Sequence, residues 1–210
     1  MKKTGIIIAV ILLLSFVTGI YLYGQMPDMM ASHWNISGEV DGYMAKFWGL
    51  FLVPLISAGL LLLFIAIPKI DPLKTNIGKF RNYYDRFVLL VMSFMYYVYL
   101  LTILWSMGMK FNMIQFLSPA LAALFYYCGI LLSKAKQNWF IGIRTPWTLS
   151  SEKVWNKTHR IGGKLFKAAG MIALLGVIMP DYAIYLVLLP VILFAVYTIL
   201  YSYLEYNKGK

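Results

Sequence analysis

One cysteine, two histidines and eight acidic residues are all that this 210-residue chain offers to most site chemistries. The lone Cys128 excludes an internal disulfide and a cysteine-ligated metal cluster. No nucleophile elbow, phosphate-binding loop or His-Glu-x-x-His element occurs, so nothing asks for an enzyme, a catalytic residue or a cofactor. Charge is scarce as well: 13% of residues are charged, against 61% hydrophobic. That balance excludes a water-soluble globule. No internal repeat is evident, which leaves an inverted-repeat transporter without support.

What the chain does have is charge-free apolar runs, at 4–27, 47–68, 87–109, 111–133 and 182–204. A helix rises ~1.5 Å per residue, so about 20 apolar residues cross a hydrocarbon core. A shorter run, 168–180, suffices if its helix starts near Ile161, with Lys164 and Lys167 snorkelling their amines to the headgroups. The expectation is an all-α bundle of six transmembrane helices. Met1–Tyr23 imitates a signal peptide, but its apolar stretch is too long and lacks a small-x-small cleavage site, so it reads as a retained first span. Pro54, Pro119 and Pro190 fall inside spans, where neighbouring helices satisfy the freed carbonyls.

The 19 basic residues orient the bundle. Six spans put both termini on one face, and 17 of the 19 fall there: Lys2 and Lys3, five in 68–86, eight in 134–167, and Lys208 with Lys210. Lys46 and Lys110 alone occupy the other face. Lys and Arg concentrate on the cytoplasmic side, so a multi-pass cell-membrane protein with both termini cytoplasmic is expected. The net charge of +11 then reflects topology and contact with anionic membrane lipids rather than direct nucleic-acid binding.

The outer loop, 24–46, concentrates polar groups: Asp28, His33, Asn35, Glu39 and Asp41, punctuated by Gly38 and Gly42. Trp34 and Tyr43 are interface anchors by type. His33, Trp34, Asn35, Asp41 and Tyr43 are therefore the candidate ligand-binding residues, with a structured cap lacking any ligand as the alternative. One histidine among scattered carboxylates is a weak metal pattern, and no metal site is assigned.

On the inner side, Lys153, Lys157, Arg160, Lys164 and Lys167 follow helical spacing and form one stripe. Val154, Thr158, Ile161, Leu165 and Ala169 fall on another face, widened by Trp155, Gly162 and Phe166. The pattern predicts a cytoplasmic amphipathic interfacial helix, capped by Ser150 or Ser151, that continues into the fifth span. It serves either adhesion to anionic lipid or docking of a soluble partner. Upstream, Gly142 and Pro146 break 138–147, where Arg144, flanked by Trp139 and Trp147, could stack, bind phosphate or brace the loop. His159 reads as exposed and structural. Gly162, Ala169 and Gly176, with Gly163 and Gly170 alongside, make a small-residue seam for close helix packing.

No span centre is charged, which counts against ion-coupled transport. Tyr96, Tyr97 and Tyr99 sit mid-span and are expected to face Tyr126 or Tyr127 and other helices in the bundle; a small-solute or lipid transporter using them is the alternative function. Asp181 is placed to cap the last span.

Several of these segments together resemble the SdpI family of six-span membrane proteins. The specific match is Asn138-x-x-x-Gly142-Ile-Arg144-Thr-Pro-Trp147-Thr-Leu-Ser, then Val154-Trp155-x-Lys-Thr-His159-Arg160 and Gly163. Met26-Pro27, His33-Trp34-Asn35, Gly38 and Asp41-Gly42-Tyr43 are similar to the family's N-terminal module of unknown function. Pro68-Lys-Ile-Asp71-Pro72 with Asn76 and Phe80 resembles the inner loop that follows. The resemblance implies a two-span module, 1–86, and a four-span module, 87–210. It implies immunity against a secreted killing peptide met on the outer side, and signalling through a cytoplasmic repressor held at the inner surface. Arg144, Thr145, Trp147, Lys153, Trp155, Lys157, His159 and Arg160 are the candidate partner-binding residues. Oligomeric state is not legible.

Overall fold

The charge-free runs all become helices in the computed structural model, which describes residues 2–208. Met1, Gly209 and Lys210, the last of these counted among the inner-face lysines, lie outside the described residues, as does the side chain of Lys2. Helices α1 (Lys2–Leu22), α2 (Lys46–Ile70), α4 (Arg81–Ser106), α5 (Met113–Lys134) and α8 (Ala183–Asn207) are each long and apolar enough to cross a membrane. Short helices α3 (Lys74–Lys79) and α6 (Pro146–Ser150) lie in the connections. The chain is a predominantly helical multi-pass membrane protein, and the expectation of an all-α chain is corrected by one β-hairpin in the outer loop. Its apolar side chains face outward in number: Ile6, Leu13, Ile20, Leu62, Leu193 and Leu200 are each more than half exposed, as a lipid-facing surface requires.

One helix departs from that composition. α7 (Glu152–Leu174) has the length, but its five basic residues make it less apolar than the other five. It buries Val154, Trp155, Thr158, His159, Gly162, Gly163, Ala169, Gly170 and Ala173, a stripe at helical spacing. That stripe packs extensively on α5, antiparallel to it. Gly163 meets the Gly129 carbonyl, Gly170 meets the Ala122 carbonyl and Gly176 meets Ser118. A Cβ on Gly163 or Gly170 would stand 2.8 or 2.6 Å from those α5 carbonyl oxygens. The glycine seam is thus the packing interface within one bundle.

Helices α1, α2 and α4 pack on one another, α5, α7 and α8 form a second group, and α4 against α5 joins the two. The module boundary expected at 86/87 falls within α4. Ser151 caps α7 by accepting from the Val154 amide. Asp181 does not cap the last span: it lies in a 3-10 turn, Pro180–Tyr182, and α8 begins at Ala183 with no side-chain cap.

The outer loop is not irregular. It forms an antiparallel hairpin of β1 (Met29–Trp34) and β2 (Val40–Ala45). The pairing slips between Ala31 and His33 and again between His33 and Trp34, so the strands lack clean alternation. Gly38 closes the turn at φ +78°.

Candidate functional site

Two built regions lie at opposite ends of the bundle. At the hairpin end, Met26 and Met30 anchor the strand base among Leu50, Tyr99 and Ile103. Met30 packs so tightly on α2 that a Cβ at Gly49 would sit 2.8 Å from its side chain. The tip rests on the α4–α5 turn: Asn112 donates its amide to the Ser37 carbonyl (3.3 Å) and caps α5 by accepting from Gln115 N. Trp34 packs edge-on against Trp105 at 6.0 Å. Asn35 Oδ1 accepts from the Ser37 and Glu39 amides, fixing the turn. Of the outer candidates, then, His33 Nδ1 and Asp41 Oδ1 are hydrogen-bonded to each other, Asn35 is used internally, Trp34 is half-buried and Tyr43 is exposed. Among the described residues, no third metal-ligating side chain joins His33 and Asp41.

Beneath the hairpin is an apolar cleft of about 580 Å³. The end of β1 from Ala31 to Trp34, with Asn35 and Ile36 of the turn, roofs it; Trp48 and Leu52 of α2, Val98 of α4, Ile114 and Leu117 of α5, and Ile184 of α8 are among its walls. It therefore opens between the two helix groups. Its one buried polar atom without a partner is Trp34 Nε1. None of its wall residues outside the hairpin was a sequence candidate, because each is an ordinary apolar residue of a different element.

At the basic end, the loop after α5 is held almost wholly by buried side chains. Asn138, fully buried, uses its whole amide: Nδ2 donates to the Lys136 and Ile141 carbonyls, and Oδ1 accepts from the Phe140 and Ile141 amides. Gln137 donates to the Thr148 and Leu149 carbonyls. Thr145 and Thr148 cap α6 reciprocally, and Thr145 also bonds Ser202 of α8 at 3.0 Å. Trp155 donates Nε1 to the Ala135 carbonyl at 3.0 Å. Asp71, quoted from the sequence as part of the inner-loop motif but given no role, is 2% exposed and accepts from Leu73 N and from Trp139 N, tying the two inner loops together. Only its Asp-Pro context hinted at a turn-forming carboxylate.

His159 is the clearest correction. It is 2% exposed rather than exposed, stacked on Trp155 with ring centroids 3.9 Å apart. Its Nε2 accepts from the Ile143 amide at 3.0 Å, so Nδ1 carries the proton and donates to the Trp155 carbonyl at 2.9 Å. Burial lowers its pKa from 6.5 to about 4, against the opposing pull of that carbonyl. The neighbouring Gly142, at φ +123°, leaves no room for a side chain: a Cβ there would stand 2.3 Å from His159 Nε2.

Thr145 and Trp155 are likewise buried inside this end, so a partner would not touch them directly. Arg144 is exposed but does not stack between tryptophans; it donates to the Trp139 carbonyl at 2.7 Å, and Trp147 packs on Tyr203 instead. Lys157 pairs with the buried Glu205 of α8. Lys153 and Arg160 are exposed, and among the described residues neither forms an ion pair. The mid-span tyrosines face other helices of the bundle, with no hydrogen bond or ring contact to Tyr126 or Tyr127 among the described residues. Tyr97 donates to the Phe116 carbonyl, Tyr127 to the Tyr83 carbonyl, and Tyr99 is buried near Gly19 of α1.

Residues 134–202 match the SdpI/YfhL protein family, and residues 10–58 match a domain of unknown function, DUF1648. The chain is 29% identical over 207 residues to immunity protein SdpI of Bacillus subtilis (strain 168), covering 98% of this chain and 97% of that one. The SdpI resemblance carried by the 138–163 motif is therefore borne out. No solved structure matches.

Proposed function

We propose that this SdpI-like chain is a membrane immunity protein, which protects its cell from a secreted killing peptide met at the hairpin end. The observation carrying the proposal is the similarity to immunity protein SdpI along nearly the whole of both chains. In this reading α7 is the sixth crossing: Gly163 to Gly176 run beside the middle of α5, from Gly129 to Ser118, and α5 itself qualifies as a span. An even count puts both termini on the lysine-rich, cytoplasmic side and the hairpin outside. The cytoplasmic surface offers Lys153 and Arg160 to an acidic partner, a repressor in the signalling branch of the proposal, while Thr145, Trp155 and His159 hold that surface in shape from within. Expression in a peptide-sensitive strain should raise survival under challenge. Unchanged killing at full membrane expression refutes immunity for that peptide.

A further inference from the structure

The cleft under the hairpin has a shape and a polar fringe that call for an occupant. One turn of a peptide helix, ~5.4 Å long and ~10–12 Å across, fills roughly 500 Å³. The cleft, at about 580 Å³, takes such a turn with its side chains. A lipid chain would meet the same apolar walls, and in a bilayer apolar contact alone discriminates little between the two. The fringe does discriminate. The adjoining hairpin tip carries Glu39 and Asp41, bonded to the cleft-lining Asn35 and His33, and among the described residues no lysine or arginine lies in ion-pair reach of either carboxylate. That rim favours a positively charged segment beside the apolar one.

Resting on the immunity reading, we propose that this cleft is where the protein holds its peptide: one apolar helical turn inserted between the two helix groups, with a cationic flank on Glu39 and Asp41. The hairpin is then the roof of a binding site, not a passive cap.

The test uses the full chain in nanodiscs of phosphatidylethanolamine and phosphatidylglycerol, with the photoreactive p-benzoylphenylalanine at Ile114. The probe is a synthetic 20-residue helix of leucine and alanine carrying two lysines at one end. Illumination should give an adduct of the peptide's mass, reduced at least tenfold by Leu117→Trp on one wall and by Ile184→Phe on another, and severalfold when the probe's lysines become glutamines. Leu117→Met should retain it. Adducts of lipid mass alone, no adduct, or a peptide adduct indifferent to both filling substitutions overturn the proposal. The survival assay separates the two readings. If the wild type protects and Leu117→Trp, still folded and inserted, protects equally, the cleft is wrong and immunity stands; if the wild type fails to protect while the probe still labels the cleft as expected, immunity falls and the peptide-binding cleft stands.

Discussion

Replacing Gly142 with alanine should cost far more than a methyl group's worth of crowding. Gly142 sits at φ +123°, a backbone conformation that side-chain-bearing residues hold at a strain of roughly 1–3 kcal/mol. The added Cβ would also stand 2.3 Å from His159 Nε2 and 3.2 Å from the Trp155 ring, both on buried side chains with no free volume to move into. Relief requires His159 to swing away from the Ile143 amide, and leaving that donor unpaired costs about 1–3 kcal/mol more. Together the loss is about 4 kcal/mol, or a fall in midpoint of roughly 12 °C for a protein of this size. Gly108 supplies the control, with φ +103° and open space where its Cβ would go. Gly108→Ala should show the backbone strain alone, about 2 kcal/mol or ~6 °C. Thermal unfolding in detergent measures both, and protease cleavage within 138–150 should rise for Gly142→Ala only. Equal losses in the two variants, or an unaffected Gly142→Ala, would refute the buried histidine latch.

Acidification should strain the same latch. His159 is held neutral with a pKa of about 4 against an ordinary 6.5, so the unfolded chain binds the proton first. Stability is then flat above pH ~6.5 and falls as pH drops towards 4, by about 2 kcal/mol at pH 5. Unfolding midpoints across pH 7.5 to 5 should show that slope in the wild type and a shallower one in His159→Gln; identical slopes would exclude the group. Gly170→Leu should split α5 from α7, because even its Cβ would press to within 2.6 Å of the Ala122 carbonyl oxygen and 2.8 Å of the Tyr126 nitrogen. Loss of folded protein in size-exclusion chromatography is expected, and a normal profile would disprove the close seam. For cytoplasmic docking, Arg160→Glu with Lys153→Glu is the clean perturbation, since Lys157 already holds the buried Glu205. Recruitment of a partner should be abolished with insertion unchanged, and recruitment that persists removes this stripe as the dock.

Helices were legible wherever lipid alone decides, because a charge-free run has few alternatives to crossing. The glycine seam was legible for a similar reason: small residues at helical spacing are otherwise unfavourable in a helix. The hairpin was not. Two register slips around His33 spoil the alternation that marks a strand, leaving only its turn glycines visible. His159 misled because a polar residue between Lys157 and Arg160 on a basic helix reads as solvated. Its burial depends on Gly142, seventeen positions away, yielding the space its ring occupies.

The cleft was illegible in a deeper sense. Its walls come from four helices and a two-stranded hairpin, and no local pattern distinguishes Leu117 or Ile184 from any lipid-facing residue. The motif that made the chain recognisable is the opposite case. Asn138, Gly142, Thr145, Trp155 and His159 stand out in sequence because each is held to one type by an internal bond or a forced approach, and every one of those contacts closes the basic end upon itself. Such residues report a scaffold, and they can persist whatever peptide the opposite end receives. Ligand specificity is then free to drift through apolar exchanges at the cleft walls, each worth about 1–3 kcal/mol of discrimination. On that physics, and under the immunity reading proposed above, this chain and the Bacillus protein it resembles can share an architecture while answering to different peptides. A swap of the cleft walls, Ile114 and Leu117 first, should move the spectrum of peptides resisted, and a swap of the basic-end motif should leave that spectrum unchanged.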